Sequence, residues 1–132
     1  MKLYFDGASK CNPGHSGCGY IIKNNDDEIL YQGYKYIGIA TNNEAEYNAL
    51  LLGIKNLPKT DDKDLIVYGD SKLVIEQMNK KWKINKKELK ELNNEINKLC
   101  NELNINTTFQ WIKREDNYEA DNLANLSLKN IN

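Results

Sequence analysis

Hydrophobic and polar positions change period several times along this chain, and each change predicts an element. Residues 2–6 (KLYFD) alternate weakly and predict a first strand. The segment CNPGHSG that follows (11–17) carries a proline and two glycines and reads as a loop. CGYIIKN (18–24) predicts a second strand, NDDE a turn and EILYQGYKYI (28–37) a third strand, together an antiparallel meander. The period then becomes helical in TNNEAEYNALLLGIKNLP: Thr41 and Glu44 have the spacing of a Thr-x-x-Glu capping box, and Pro58 marks the end. DLIVYGD (64–70) is a short, continuous apolar run, as expected of a strand buried on both faces, and SKLVIEQMN reads as a short helix. Leu89, Leu92, Ile96, Leu99 and Leu103 form one helical stripe over 87–103. INTTFQWI (105–112) is rich in β-formers, and a closing helix carries Ala120, Leu123, Ala124, Ser127, Leu128 and Ile131 on one face. The order β-β-β-α-β-α-α-β-α predicts one α/β domain over residues 1–132, a mixed sheet covered by helices.

Composition narrows the function classes. The apolar runs are too short to span a bilayer, so no membrane association is expected. The N-terminus has one lysine and then enters a strand, so no signal peptide is expected and a cytoplasmic location is inferred. A net charge of −1 excludes a basic field over the whole molecule, so any nucleic-acid contact must come from a local patch such as KKWKINKK (80–87) with Lys90. Three cysteines, Cys11, Cys18 and Cys100, suit a reducing compartment. Cys11, His15 and Cys18 make a loose C-x3-H-x2-C cluster, which leaves three readings: unrelated loop or core residues, a zinc site lacking a near fourth ligand, or a Cys11–Cys18 disulfide.

Four carboxylates carry the candidate chemistry. Asp6 is expected at the end of the first strand and Asp70 at the end of the central apolar strand. Glu46 lies one turn into the first helix, on the side of Leu50 and Gly53; Asp121 borders the apolar stripe of the last helix. Each has an ordinary alternative: a turn residue for Asp6, an N-cap for Asp70, rim charges for Glu46 and Asp121. Together they could converge at one sheet edge, where they would repel unless cations neutralised them. Oxygen-only ligands suit Mg²⁺ or Mn²⁺, and two such ions roughly 4 Å apart can clamp the attacking and leaving oxygens of a phosphodiester.

FDGASKCNPG, GYII, TNNEAEY, YGDSKLVIEQ and WIKREDNYEADNLA, in this order, make the chain resemble the type 1 ribonuclease H family over nearly its whole length. The resemblance implies a ribonuclease H-like fold, a five-stranded mixed sheet with helices on both faces. It implies a metal site of Asp6, Glu46, Asp70 and Asp121 holding two Mg²⁺ ions, with Mn²⁺ able to substitute. It implies endonucleolytic hydrolysis of the RNA strand of an RNA–DNA hybrid, leaving 5′-phosphate and 3′-hydroxyl ends, by a protein expected to be monomeric. Asn12, Asn42 and Asn43 match positions near the minor groove and RNA 2′-hydroxyls, groups that short amides can distinguish from deoxyribose. Thr41 and Asn85 match a pocket for a DNA-strand phosphate, which would give Thr41 two jobs. Trp82 lies near the family's DNA-sugar contact or is a helix-packing tryptophan, and the nearby lysines add salt-dependent affinity.

The chain also departs from the family. KREDNYEAD has no loop histidine, so Arg114, Glu115 or Asn117 could assist instead, with slower or more Mn²⁺-dependent catalysis expected. The long basic protrusion is missing and no separate N-terminal hybrid-binding domain is expected; Cys11 stands where many relatives have glycine, and His15 reads as an incidental loop residue. Alternatives are a relaxed nuclease that also cuts double-stranded RNA, a catalytically idle hybrid-binding module, and the nucleases and transposases that share the fold.

Overall fold

The structure, a computed structural model, describes residues 1–129; Ile131, expected on the last apolar stripe, lies outside the described residues. The chain runs through β1 (Lys2–Ser9), β2 (Gly14–Lys23), β3 (Ile29–Ala40), α1 (Asn42–Lys55), β4 (Asp64–Gly69), α2 (Lys72–Met78), α3 (Lys87–Glu102), β5 (Asn106–Trp111), a 3-10 turn (Arg114–Asn117) and α4 (Tyr118–Leu126). The five strands form one sheet in the order β3-β2-β1-β4-β5. Strands β1 to β3 are antiparallel, whereas β4 is parallel to both β1 and β5.

The core lies between the sheet and α1, α2 and α3. Leu3, Phe5, Val67, Tyr47, Leu50, Ile54, Val74, Ile75 and Ile96 are all buried there. On the opposite face α4 presses directly on β2. A Cβ on Gly19 would sit 2.5 Å from the Ala120 carbonyl oxygen and 2.5 Å from the Ala124 nitrogen, so only glycine allows this approach. Tertiary contact shifts the apolar stripe of α3. Asn93 takes a buried place by donating to the Tyr47 hydroxyl (3.2 Å), while Leu103 follows the helix end and is exposed.

Two features differ from the pattern-based reading. First, β1 does not stop at Asp6. It pairs on through Asp6↔Gly19 to Ser9↔Ser16, which shortens the expected glycine–proline loop to residues 10–13. Backbone ladder bonds and the Ser9–Ser16 hydroxyl contact (2.6 Å) hold this extension, and neither depends on apolar alternation. Second, β4 pairs with β1 only from Lys2↔Ile66 to Tyr4↔Tyr68. The two strands therefore part just before Asp6 and Asp70, opening a cleft beyond the carboxyl ends of parallel strands.

The cysteine cluster does not assemble. Cys11 is exposed and Cys18 buried, both are free thiols, and the Cys18 thiol faces the Ala45 carbonyl (3.4 Å). His15 instead shares a hydrogen bond between its Nδ1 and the Tyr36 hydroxyl (2.7 Å). Among the described residues no helix is long and apolar enough to cross a membrane.

Candidate active site at the parting of two strands

Glycine at position 7 sets the distance between the first two carboxylates. A Cβ there would meet the Ala45 carbonyl carbon at 2.3 Å and the Glu46 nitrogen at 2.4 Å, so α1 crosses β1 backbone against backbone. Glu46 consequently lies beside Asp6, and the Gly7 N–H donates to Glu46 Oε1 and to Asp6 Oδ1 (3.1 Å). The capping box at the head of α1 forms as the spacing predicts. Thr41 Oγ1 accepts from the Glu44 N–H (3.1 Å) and the Glu44 carboxylate accepts from the Thr41 N–H (3.0 Å). Glu44 is thereby occupied, and Glu46 has no capping role.

Asp70 follows β4 directly. It is not the N-cap of α2: that role falls to Ser71, whose hydroxyl accepts from the Val74 N–H (3.3 Å). Trp111, at the end of the neighbouring β5, donates its indole N–H to the Asp70 carbonyl oxygen (3.1 Å) and so ties down the backbone that carries this carboxylate. On α4, Asp121 is half-buried, with Asn125 donating to its Oδ1 (3.3 Å).

Asp6, Glu46 and Asp70 each offer an oxygen, and these three atoms lie within 4.8 Å of one another. Asp6 and Glu46 are buried. Burial, and then the neighbouring negative charge of Glu46, pushes the Asp6 carboxyl far above the usual carboxylate range. Glu46 is raised by burial, against the lowering effect of hydrogen bonds from Asp6 and the Gly7 N–H. Asp70 is raised as well, chiefly by burial. Without a cation, the cluster therefore gives up its protons less readily than isolated carboxylates do, Asp6 least of all. All-oxygen donors, close convergence and suppressed ionisation are what a hard divalent cation would relieve, so these residues fit Mg²⁺ or Mn²⁺.

The cluster lines an open cavity of about 450 Å³ with Asp121, Asn42, Asn43, Arg114, Ser71 and Asn125. Asn12 stands outside this wall and accepts from the Asn42 N–H through its side-chain oxygen (3.0 Å). A neighbouring cavity has Asn12, Thr41, Asn43 and Lys86 in its lining together with the acidic Glu44 and Glu88; Asn85 is exposed and is not part of that lining. Thr41 can still perform two jobs, because its oxygen accepts within the cap while its own O–H remains available to donate. Trp82 is 45% exposed, so part of its ring stays open to solvent. Of the three suggested substitutes for a loop histidine, only Arg114 reaches the carboxylate cavity. Glu115 is exposed outside the lining, and Asn117 is buried with its amide committed to the Phe5 carbonyl (2.9 Å), which removes it as a proton carrier. Trp111 opens the WIKREDNYEADNLA motif and Asn125 directly follows it, but the motif assigns neither a role. Their only signal is position: Trp111 ends a strand beside Asp70, and Asn125 follows Asp121 by one helical turn.

A family profile described as "Reverse transcriptase-like" matches residues 4–127. A bifunctional protein of Mycobacterium tuberculosis is 36% identical over 121 residues, 91% of this chain but 33% of its own length. The chain thus spans about a third of that relative. Ribonuclease H of Francisella tularensis subsp. novicida is 35% identical over 145 residues, covering 97% of this chain and 90% of the relative. Among solved structures, the crystal structure of RNase H1 from Halobacterium salinarum superposes with a TM-score of 0.89 at 34% identity, covering 96% of each chain. LC11-RNase H1, solved in complex with an RNA/DNA hybrid, has the same TM-score and identity, covering 96% of this chain and 94% of the other. With the sheet order, the parted strands and the converging carboxylates, these matches show that the chain belongs to the type 1 ribonuclease H family.

Proposed function

We propose that this protein is a metal-dependent endoribonuclease that hydrolyses the RNA strand of RNA–DNA hybrids and leaves 5′-phosphate and 3′-hydroxyl ends. The observation that carries the reading is the meeting of Asp6, Glu46 and Asp70 within 4.8 Å in a cavity walled by Asn42, Asn43 and Arg114. A lone buried carboxylate cluster would weigh against folding; beside amides and a guanidinium it suits a cation-dependent reaction on a phosphodiester.

In this reading Asp6, Glu46, Asp70 and Asp121 hold two divalent cations, Mg²⁺ or Mn²⁺. Such cations, when bound, supply activation of the attacking water and stabilisation of charge on the leaving 3′ oxygen. The rest falls to the chain. The Gly7 N–H and the Trp111 indole keep Glu46 and the Asp70 backbone in place, so the ligands are preorganised on rigid elements. Asn12, Asn42 and Asn43 present short amides to the minor groove and to 2′-hydroxyls. Thr41 donates to a DNA-strand phosphate with Lys86 beside it, and the exposed Asn85, which precedes Lys86 in the chain, is a further donor. Trp82 offers an exposed ring to the DNA sugar, with the surrounding lysines adding sequence-independent attraction. Arg114 is the cation facing the cavity, suited to steadying the scissile phosphate where a histidine is absent. Residues 1–132 act as one catalytic domain, as a monomer in the cytoplasm.

Labelled RNA–DNA hybrid, RNA duplex, single-stranded RNA and DNA duplex, each incubated with Mg²⁺, Mn²⁺ or EDTA, test this. Cutting confined to the RNA strand of the hybrid, and only with metal, is expected. Cutting of the RNA duplex as well would make the enzyme a broader ribonuclease, and binding without cutting in any metal would refute hydrolysis.

A further inference from the structure

Asn117 ends the 3-10 turn, one residue before α4 begins and one helical turn before Asp121. It is 1% exposed. Its Nδ2 reaches across 112 positions of sequence to donate to the Phe5 carbonyl at 2.9 Å. That carbonyl belongs to the residue immediately before Asp6 and lies one position past Tyr4, where β1 loses its pairing with β4. A side-chain amide thus binds the β1 backbone just where the sheet opens to form the carboxylate cleft.

The other end of the amide is left without a protein partner. Asn117 Oδ1 is the one buried side-chain oxygen or nitrogen among the described residues that lacks a hydrogen bond. A buried, unpaired acceptor lowers stability; an apolar side chain would avoid that loss but would leave the Phe5 carbonyl without its donor. The chain instead keeps a residue whose benefit is the single bond to Phe5. Local rules are broken in this way where geometry at a site matters more than stability.

We infer that Asn117 is a positioning residue: by tying the turn before α4 to β1 at Phe5, it fixes the separation of Asp121 from Asp6 and thereby sets the cation affinity of the cluster. The inference rests on the metal-dependent reading above. It assigns Asn117 no contact with substrate and no proton. Asp6 and Asp121 stand on elements that come from opposite ends of the chain; α4 is also held to β2 by the close approaches at Gly17 and Gly19 and by the Lys23–Glu119 ion pair (2.9 Å), whereas the Asn117 amide binds the β1 carbonyl next to Asp6 itself.

Asn117→Ala and Asn117→Leu test it. Leucine has the heavy-atom count and branching of asparagine and removes the orphan acceptor, but like alanine it leaves the Phe5 carbonyl without its donor, so urea unfolding of both variants comes first and the metal readouts are taken where each is folded. The first readout is the midpoint of Mn²⁺ binding followed by isothermal titration calorimetry, which needs no turnover. The second is the split of kcat from KM on hybrid. In Asn117→Leu the Mn²⁺ midpoint is expected to rise roughly 10–100-fold, the usual consequence of losing a residue that orients metal ligands, and kcat at fixed metal to fall similarly while KM for hybrid changes less than about threefold. A Leu variant with wild-type Mn²⁺ midpoint and kcat would overturn the inference and leave Asn117 a packing residue. Failure of the underlying reading looks different: the wild-type protein itself would show no Mn²⁺ binding and no cutting.

Discussion

Replacing Asp6 by asparagine should destroy cleavage and yet make the metal-free protein more stable. In the absence of cations the cleft forces Asp6, Glu46 and Asp70 together out of water. Glu46 is pushed up to about 7 from an ordinary value of 4.5, and a rise of that size weighs against folding by roughly 3 kcal/mol once the pH is above 7. Asp6 is raised further still, so folding at neutral pH requires it to keep a proton that the unfolded chain has shed. Folded values above unfolded ones mean that this handicap is absent below about pH 4 and grows as pH rises through the raised values. Asparagine has the shape of the protonated aspartate, retains an N–H to donate to Glu46 and has no proton to lose. Part of the handicap stays with Glu46 and Asp70, so we expect a gain on the order of 1–3 kcal/mol at pH 8 in EDTA, or roughly 3–10 °C in Tm for a domain of this size. The advantage should shrink toward zero at pH 4. Mg²⁺ should raise the Tm of the wild type and leave that of the variant nearly unchanged, since only binding to the folded state stabilises it. Differential scanning calorimetry of both proteins at pH 4 and pH 8, with EDTA and with Mg²⁺, reads all of this. A Tm for Asp6→Asn below wild type at pH 8 in EDTA would refute the argument that the carboxylates repel.

Other variants separate the parts of the site. Gly7→Ala places a Cβ within 2.4 Å of the α1 backbone, so α1 must move off β1; a loss of about 1–3 kcal/mol in urea unfolding is expected, with cleavage falling further because Glu46 moves with the helix. Thr41→Val removes the cap oxygen and should cost about 1 kcal/mol of stability while weakening hybrid binding, measured by fluorescence anisotropy. Changing Lys80, Lys81 and Lys83 together to glutamine should raise KM for hybrid and lower the slope of log affinity against log salt by about one for each phosphate no longer neutralised; an unchanged slope would place the hybrid elsewhere.

Where the fold obeys local rules, it is legible in the sequence. The capping box of Thr41 and Glu44 is present atom for atom, and the continuous apolar run before Asp70 is the interior strand β4, buried on one face and half-buried on the other. Apolar alternation fades after Phe5 and so puts Asp6 at a strand end, yet backbone pairing with β2 carries the strand on to Ser9. The glycine after Asp6 suggests a turn; its actual purpose, the crossing of α1 over β1, is a tertiary contact that no local pattern encodes. Asn117 reads as a loop residue free to act, because nothing nearby in sequence reveals that its amide is held by Phe5. Motif order singles out four carboxylates, of which Asp6, Glu46 and Asp70 converge and Asp121 lines the same cavity, while the parts played by Gly7, Trp111 and Asn117 become visible only in three dimensions.

The most direct test of the proposed chemistry follows one RNA strand. A hybrid with 5′-labelled RNA is incubated with the protein in Mg²⁺, in EDTA, and in EDTA followed by excess Mg²⁺, and the products are then offered to a DNA polymerase. The expected result is cutting only when Mg²⁺ is free, restored by its re-addition, with RNA fragments that the polymerase extends from a 3′-hydroxyl. Cutting in EDTA, or fragments that cannot be extended, would contradict hydrolysis by a cation-loaded cluster of Asp6, Glu46, Asp70 and Asp121.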